Sequence, residues 1–326
     1  MCEHAETNGA RSSERAGKIV KGAYDLHVHV APDVMRRITD DVTLAEQFGE
    51  HELGGFVLKS HYAPTAERAQ VVNRVVPGAH AIGAITLNNA VGGMNPMAVE
   101  IAAMEGAKVV WFPTFDSENE PIGRSDPRPG EIVPVWAKTQ RELRARGFNV
   151  DPVRVVDREM NVLPEVRDVL RIIAHHDLVF ATGHLSRDEI FAVVDAAIEL
   201  GVKRIVVTHP EFPSQNINAR DQHALGERGA LLERCFTTPY TGKTKWETVF
   251  NNIKQSGPQH SFVSTDLGQP DNPAVENGFA LMADRLLEAG FSESEVHTMC
   301  VDNTRRILGV DRAAPAHPGR AAHPPS

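Results

Sequence analysis

Eight short apolar runs recur along the chain with helical patterns between them, and no other feature constrains the fold as strongly. They are 23–30 (AYDLHVHV), 55–61 (GFVLKSH), 80–87 (HAIGAITL), 107–114 (AKVVWFPT), 178–184 (LVFATGH), 203–209 (KRIVVTH), 230–237 (ALLERCFT) and 260–266 (HSFVSTD). Most starts lie about 25 to 32 residues apart, the length of one strand–helix unit. The long interval after the fourth run reads as an insertion over 116–163, with a Pro/Gly/Asp-rich lead and a short hairpin around GFNVDPVRVVDREMNVLP.

The intervening helices carry their own signals. In SRDEIFAVVDAAIELG, Ser186 and Glu189 form a capping-box pattern, Ile190, Val193, Val194, Ala197 and Ile198 share a face, and Gly201 stands where a helix stops. In LPEVRDVLRIIAHHD, Pro164 occupies the first turn, and Val166, Val169, Leu170 and Ile173 form one stripe. Strands alternating with such helices imply a parallel sheet covered by helices. Eight units predict a (β/α)8 TIM barrel rather than an open doubly wound sheet of five or six strands.

The 326 residues suit one barrel, and 41% apolar with 24% charged residues is ordinary for a soluble globular protein. A polar head over 1–18 and a Pro/Ala/Gly/His-rich tail over 311–326 read as disordered, leaving a single domain over 19–310. The net charge of −9 offers no basic footprint for nucleic acid or an anionic membrane, so the expected partner is a small-molecule substrate; a homo-oligomer remains open. Cys2, Cys235 and Cys300 form no CxxC pair, and the head lacks the apolar core of a signal peptide, which together suggest a reducing, cytoplasmic setting. Cys235 reads as a buried thiol of the seventh run.

Barrel chemistry gathers at the C-terminal ends of strands. The runs end in His27 and His29, Lys59 and His61, His184, His209 and Asp266. In an extended strand His27 and His29 face one side while Leu26, Val28 and Val30 face the other. A lone strand-end histidine is ordinarily hydrogen-bonded or solvated. The set of His27, His29, His184, His209 and Asp266 differs, because it offers N and O ligands suited to Zn2+ or another borderline divalent ion such as Mn2+ or Fe2+.

At these positions the chain resembles the amidohydrolase superfamily of metal-dependent barrel hydrolases. Its signature is HxH after strand one, a carboxylated Lys or a Glu usually on strand four, His on strands five and six, and Asp on strand eight. His27, His29, His184, His209 and Asp266 match in type and order over roughly residues 22 to 270, and DLHVH, ATGHLS and STDLGQ are similar to a poorly characterised bacterial branch of predicted amidohydrolases. The resemblance implies one metal held by His27, His29 and Asp266, a second at His184 and His209, and Asp266 as both ligand and proton shuttle.

The bridging ligand departs from that signature. Lys108 precedes its strand and belongs at the barrel bottom, whereas Lys59 lies at the top of the second run with the parity of Val57 and His61. Three roles remain open for Lys59: a carboxylated bridging lysine, a cation for an anionic substrate, or a structural ion pair. Asp116 or Glu118 could instead supply a carboxylate. His61, Arg220 and Tyr240 are candidate substrate-binding residues, Phe115 is the aromatic expected to reach the pocket, and THPEFPSQNI is expected to fold over the mouth. GxSxG, GxxxxGK[ST] and GxGxxG motifs are absent. The leading expectation is a hydrolase using metal-activated water on an amide, cyclic amide or lactone. A phosphoesterase, decarboxylase or metal-independent lactonase, and a non-catalytic metal- or ligand-binding barrel, stand as alternatives.

Overall fold

Each apolar run forms a strand in the computed structural model, which describes residues 11–120 and 135–310: β1 (Tyr24–Val28), β2 (Gly55–Leu58), β3 (Ala81–Thr86), β4 (Ala107–Trp111), β5 (Val179–Ala181), β6 (Arg204–Val207), β7 (Leu231–Cys235) and β8 (Ser261–Ser264). All pairings are parallel, in the order β1 to β8. The barrel closes where the Asp266 N–H donates to His27 O and the His29 N–H to Leu267 O, both at 2.8 Å.

The helices are α1 (Glu14–Ile19), α2 (Asp41–Glu50), α3 (Ala66–Val75), α4 (Pro96–Met104), α5 (Val135–Ala145), α6 (Pro164–His175), α7 (Arg187–Glu199), α8 (Ala219–Glu227), α9 (Thr237–Tyr240), α10 (Trp246–Ser256), α11 (Gly278–Glu288), α12 (Glu293–His297) and α13 (Asn303–Leu308). Alternation divides the strands between two cores. Val57, Ile82, Val109, Trp111, Val206 and Leu231 fill the barrel, with Ile307 of α13 across its lower end. Phe56, Leu58, Val110, Phe180 and Leu232 pack outward under the helices. The capping box of α7 and the first-turn proline of α6 form as expected, although Ile198 is exposed at 42%. Among the described residues no helix is long and apolar enough to cross a membrane.

Strand β1 departs from simple alternation. Its pairing with β2 gains one residue between Asp25 and Val28. The bulge turns Leu26 into the barrel interior, correcting the outward position expected for it, while Val28 and Val30 do pack outward. Asp25 stitches the irregular seam: its Oδ1 accepts the N–H groups of His27 and Thr265 (both 3.1 Å), and its Oδ2 accepts the Thr265 hydroxyl (2.6 Å).

The disordered head expected over 1–18 is corrected in its second half. Ser13 caps α1, and its N–H and hydroxyl both donate to Asp284 of α11, so apolar contact and capping order this turn. Residues 1–10, the tail 311–326 and positions 121–134 of the insertion lie outside the described residues. The insertion otherwise carries α5 and a hairpin bridged by Val156 and Val162, and Lys108 is exposed near the start of β4 as expected.

Candidate metal centre

The strand ends converge on a cavity of about 460 Å3 at the C-terminal face, lined among others by His27, His29, Lys59, His184, His209 and Asp266. The β1 bulge sends both His27 and His29 to its floor. Gly183, at φ +63°, makes the turn that presents His184; a Cβ there would stand 2.3 Å from the carbonyl of Phe112. His209 (φ +23°) and Asp266 (φ +53°) hold left-handed backbone that non-glycine residues seldom adopt, a strain typical of functional positions.

His27 is the hub. Its Nδ1 lies 3.1 Å from Glu233 Oε1, and its Nε2 lies 2.8 Å from Lys59 Nζ and 3.2 Å from Asp266 Oδ1. The same Asp266 oxygen is 3.1 Å from His29 Nε2, and Thr237 donates to the other oxygen at 2.8 Å. Glu233 fixes the ring proton of His27 on Nδ1, so Nε2 offers a lone pair to the cavity. A lone pair beside a carboxylate oxygen is repulsive unless a cation lies between them. Lys59 supplies one such cation. A divalent ion also fits the set, since N and O donors about 2.0–2.2 Å from one ion stand roughly 3 Å apart.

His184 repeats the device. Its Nδ1 meets Glu120 Oε1 at 2.7 Å, and Ser214 steadies the same oxygen from 2.8 Å. Carboxylate-backed imidazoles of this kind are the usual form of metal-ligating histidine. The His184 and His209 rings lie 4.8 Å apart, and the His27 and His209 rings 5.9 Å apart, so the histidines follow one another around the floor. Among the described residues the buried Nδ1 atoms of His29 and His209 have no hydrogen-bond partner.

Burial lowers the pKa of His184 and drives those of His29, His61 and His209 well below the ordinary imidazole value, so these rings stay neutral and able to ligate. Burial also lowers Lys59, against the pull of Asp266 and Glu233. Burial alone would raise Asp266, but contact with His27 and the hydrogen bond to His29 hold it well below the usual carboxylate range. Cys235 Sγ approaches His27 Nδ1 at 3.7 Å, and burial pushes this thiol well above its ordinary value, keeping it protonated and a poor ligand.

The structure thus brings together His27, His29, Lys59, His184, His209 and Asp266, with His61 and Phe115 on the cavity wall. It moves two expected substrate-binding residues elsewhere. Arg220 is exposed on α8, in the first turn behind the Asn218 cap, and does not line the cavity among the described residues. Tyr240 ends α9 and stacks on Phe236 at 4.9 Å, joining the outer core rather than the cavity. Neither alternative carboxylate takes part: Asp116 accepts from the Asn89 N–H, and Glu118 pairs with Arg154.

Glu233 and Glu120 escaped the sequence reading. A glutamate inside LLERC, a central parallel strand, is itself a signal, because a carboxylate buried there must have partners. Glu120 follows a loop and carries no comparable mark.

The closed (β/α)8 barrel is a fold that this chain shares with solved structures of amidohydrolases. An amidohydrolase from Pseudomonas aeruginosa superposes with a TM-score of 0.62 at 11% identity, over 90% of this chain and 97% of the other. The "probable dipeptidase PvdM" from the same organism gives 0.60 at 12% identity, over 91% and 96%. Among curated proteins no sequence matches. By sequence the chain belongs to the family described as "Family of unknown function (DUF6282)", whose model matches residues 22–233.

Proposed function

We propose that the chain is a metal-dependent hydrolase that cleaves a C–N or C–O bond, in an amide, cyclic amide or lactone, of a small molecule. The observation that carries this reading is the meeting of His27 Nε2 and His29 Nε2 on one oxygen, Asp266 Oδ1, at 3.2 and 3.1 Å on a cavity floor, with all three atoms within 4.8 Å of one another. His27, His29 and Asp266 would hold one divalent ion, with Zn2+ first among the candidates, and His184 and His209 a second. Bound there, such an ion lowers the pKa of water towards about 7 and polarises the scissile oxygen. Asp266, anchored by Thr237, would accept the proton of the attacking water and return it to the leaving group. Glu233 and Glu120 keep the ring protons of His27 and His184 on Nδ1 throughout. Lys59 would join the ligands if it takes up CO2 as a carbamate, a reaction of its amine form, which burial favours.

The 2.8 Å contact of Lys59 Nζ with His27 Nε2 favours one further reading. An ammonium there neutralises the site without metal and would suit a metal-independent lactonase or decarboxylase. Elemental analysis of untagged protein purified without chelator separates the two. One or two equivalents of Zn, Mn or Fe, lost in His27→Ala/His29→Ala together with activity on an amide and lactone panel, supports the hydrolase. A protein free of metal even after reconstitution with bicarbonate overturns it.

A further inference from the structure

Resting on that reading of the cavity, we propose that the site takes an anionic substrate, a carboxylate or phosphate, bound by Arg37 and Lys243. Strand order places these residues. Arg37 lies on the loop after β1, and Lys243 follows α9 after β7, so they flank β8 and Asp266 from its two neighbours in the barrel. Both line the cavity. Asp33 holds Arg37 through Nε at 2.6 Å, leaving Nη1 without a hydrogen bond among the described residues. This is the posture of a guanidinium whose second edge is kept for a ligand.

Lys243 makes no ion pair among the described residues, and its ammonium stands 4.6 Å over the Phe212 ring, which in turn packs on His209 at 4.7 Å. The lining also contains Lys59 and Arg36, against Asp266 and Asp271 as the acids found there among the described residues. A divalent ion would raise the positive balance further. An anionic group between Arg37 and Lys243 would lay the rest of the molecule along Phe212, beside Lys243 on the loop after β6, and across the floor towards Phe115 on the loop after β4. The expected ligand is therefore an acid with an apolar body.

Isothermal titration calorimetry on the metal-loaded protein tests this with 3-phenylpropionate, its neutral amide and inorganic phosphate. The acid should bind at least tenfold more tightly than the amide; phosphate binding more tightly than the acid would assign the group as phosphate. Lys243→Gln, at an exposed position that tolerates polar exchange, and Arg37→Gln should each cut anion affinity about tenfold or more while leaving the amide and the metal content unchanged. Equal binding of acid and amide, no binding of any anion, or a preference that survives both substitutions and vanishes only on metal removal would overturn the assignment. Anion preference in a protein inactive on every amide and lactone would instead retire the hydrolase reading and leave this inference standing.

Discussion

Replacing Glu233 by Gln preserves shape and removes one acceptor oxygen, and the consequence follows from three donors. Oε1 receives His27 Nδ1 at 3.1 Å and the Ser264 hydroxyl at 2.8 Å, while Oε2 receives the His209 N–H at 3.3 Å. If the Gln carbonyl keeps the first two, its NH2 faces the His209 N–H, a buried donor–donor contact that costs about 1–3 kcal/mol. If the amide flips, its NH2 faces His27 Nδ1, and that ring must move its proton to Nε2. The lone pair directed at Asp266 is then lost. Removing such a carboxylate behind a ligating histidine weakens metal binding about 10–100-fold, or roughly 1.4–2.8 kcal/mol. Competition for Zn2+ against a chromophoric chelator measures this, with circular dichroism confirming the fold. Ser264→Ala, which removes only the hydroxyl, should change affinity less than about threefold by the same reasoning. A folded Glu233→Gln protein that binds Zn2+ within about twofold of wild type would show that Glu233 does not set the His27 tautomer.

Asp25→Ala leaves the Thr265 N–H and hydroxyl and the His27 N–H without their acceptor, so urea unfolding should show a loss of about 3 kcal/mol or more; a loss below about 1 would refute the seam role. Burial pushes the Asp25 carboxyl up to about 7, so its neutral form favours the fold at acid pH. In chelator-treated protein this contribution, at most about 4 kcal/mol, should be lost as pH rises from near 4 through 7. The non-titrating Asp25→Asn should flatten that slope, and parallel profiles would count against it. Gly183→Ala forces a Cβ into the Phe112 carbonyl at positive φ and should destabilise by about 2 kcal/mol or more in urea titration; a change under about 0.5 would mean the TGH turn relaxes freely. Lys59→Met should abolish any mass gain of one CO2 seen by native mass spectrometry in bicarbonate, and a gain that persists places the carbamate on another residue.

The eight strands and their order were written in the sequence because each depends on local pattern: short apolar runs, capping pairs such as Ser186 with Glu189, and a steady repeat length. The side chains at strand ends were legible for the same reason, since a parallel barrel brings every strand's C-terminus to one rim. Periodicity misled where the backbone broke it. The β1 bulge turned Leu26 inward, and alternation cannot foretell one added residue. Arg220 and Tyr240 departed from expectation because nearness to a strand end in sequence does not fix direction: Arg220 is exposed on α8, and Tyr240 stacks on Phe236.

What the sequence determined by itself was the barrel and its ring of histidines with Asp266, because both follow from period and position. What only the tertiary structure decided was how those residues are partnered around the cavity: Glu233 behind His27, Glu120 behind His184, Lys59 on His27, and Arg37 and Lys243 on either side of β8. These partners lie far apart in the chain, 206 residues for Glu233 and His27. Their meeting depends on barrel closure and loop course, which no local pattern encodes.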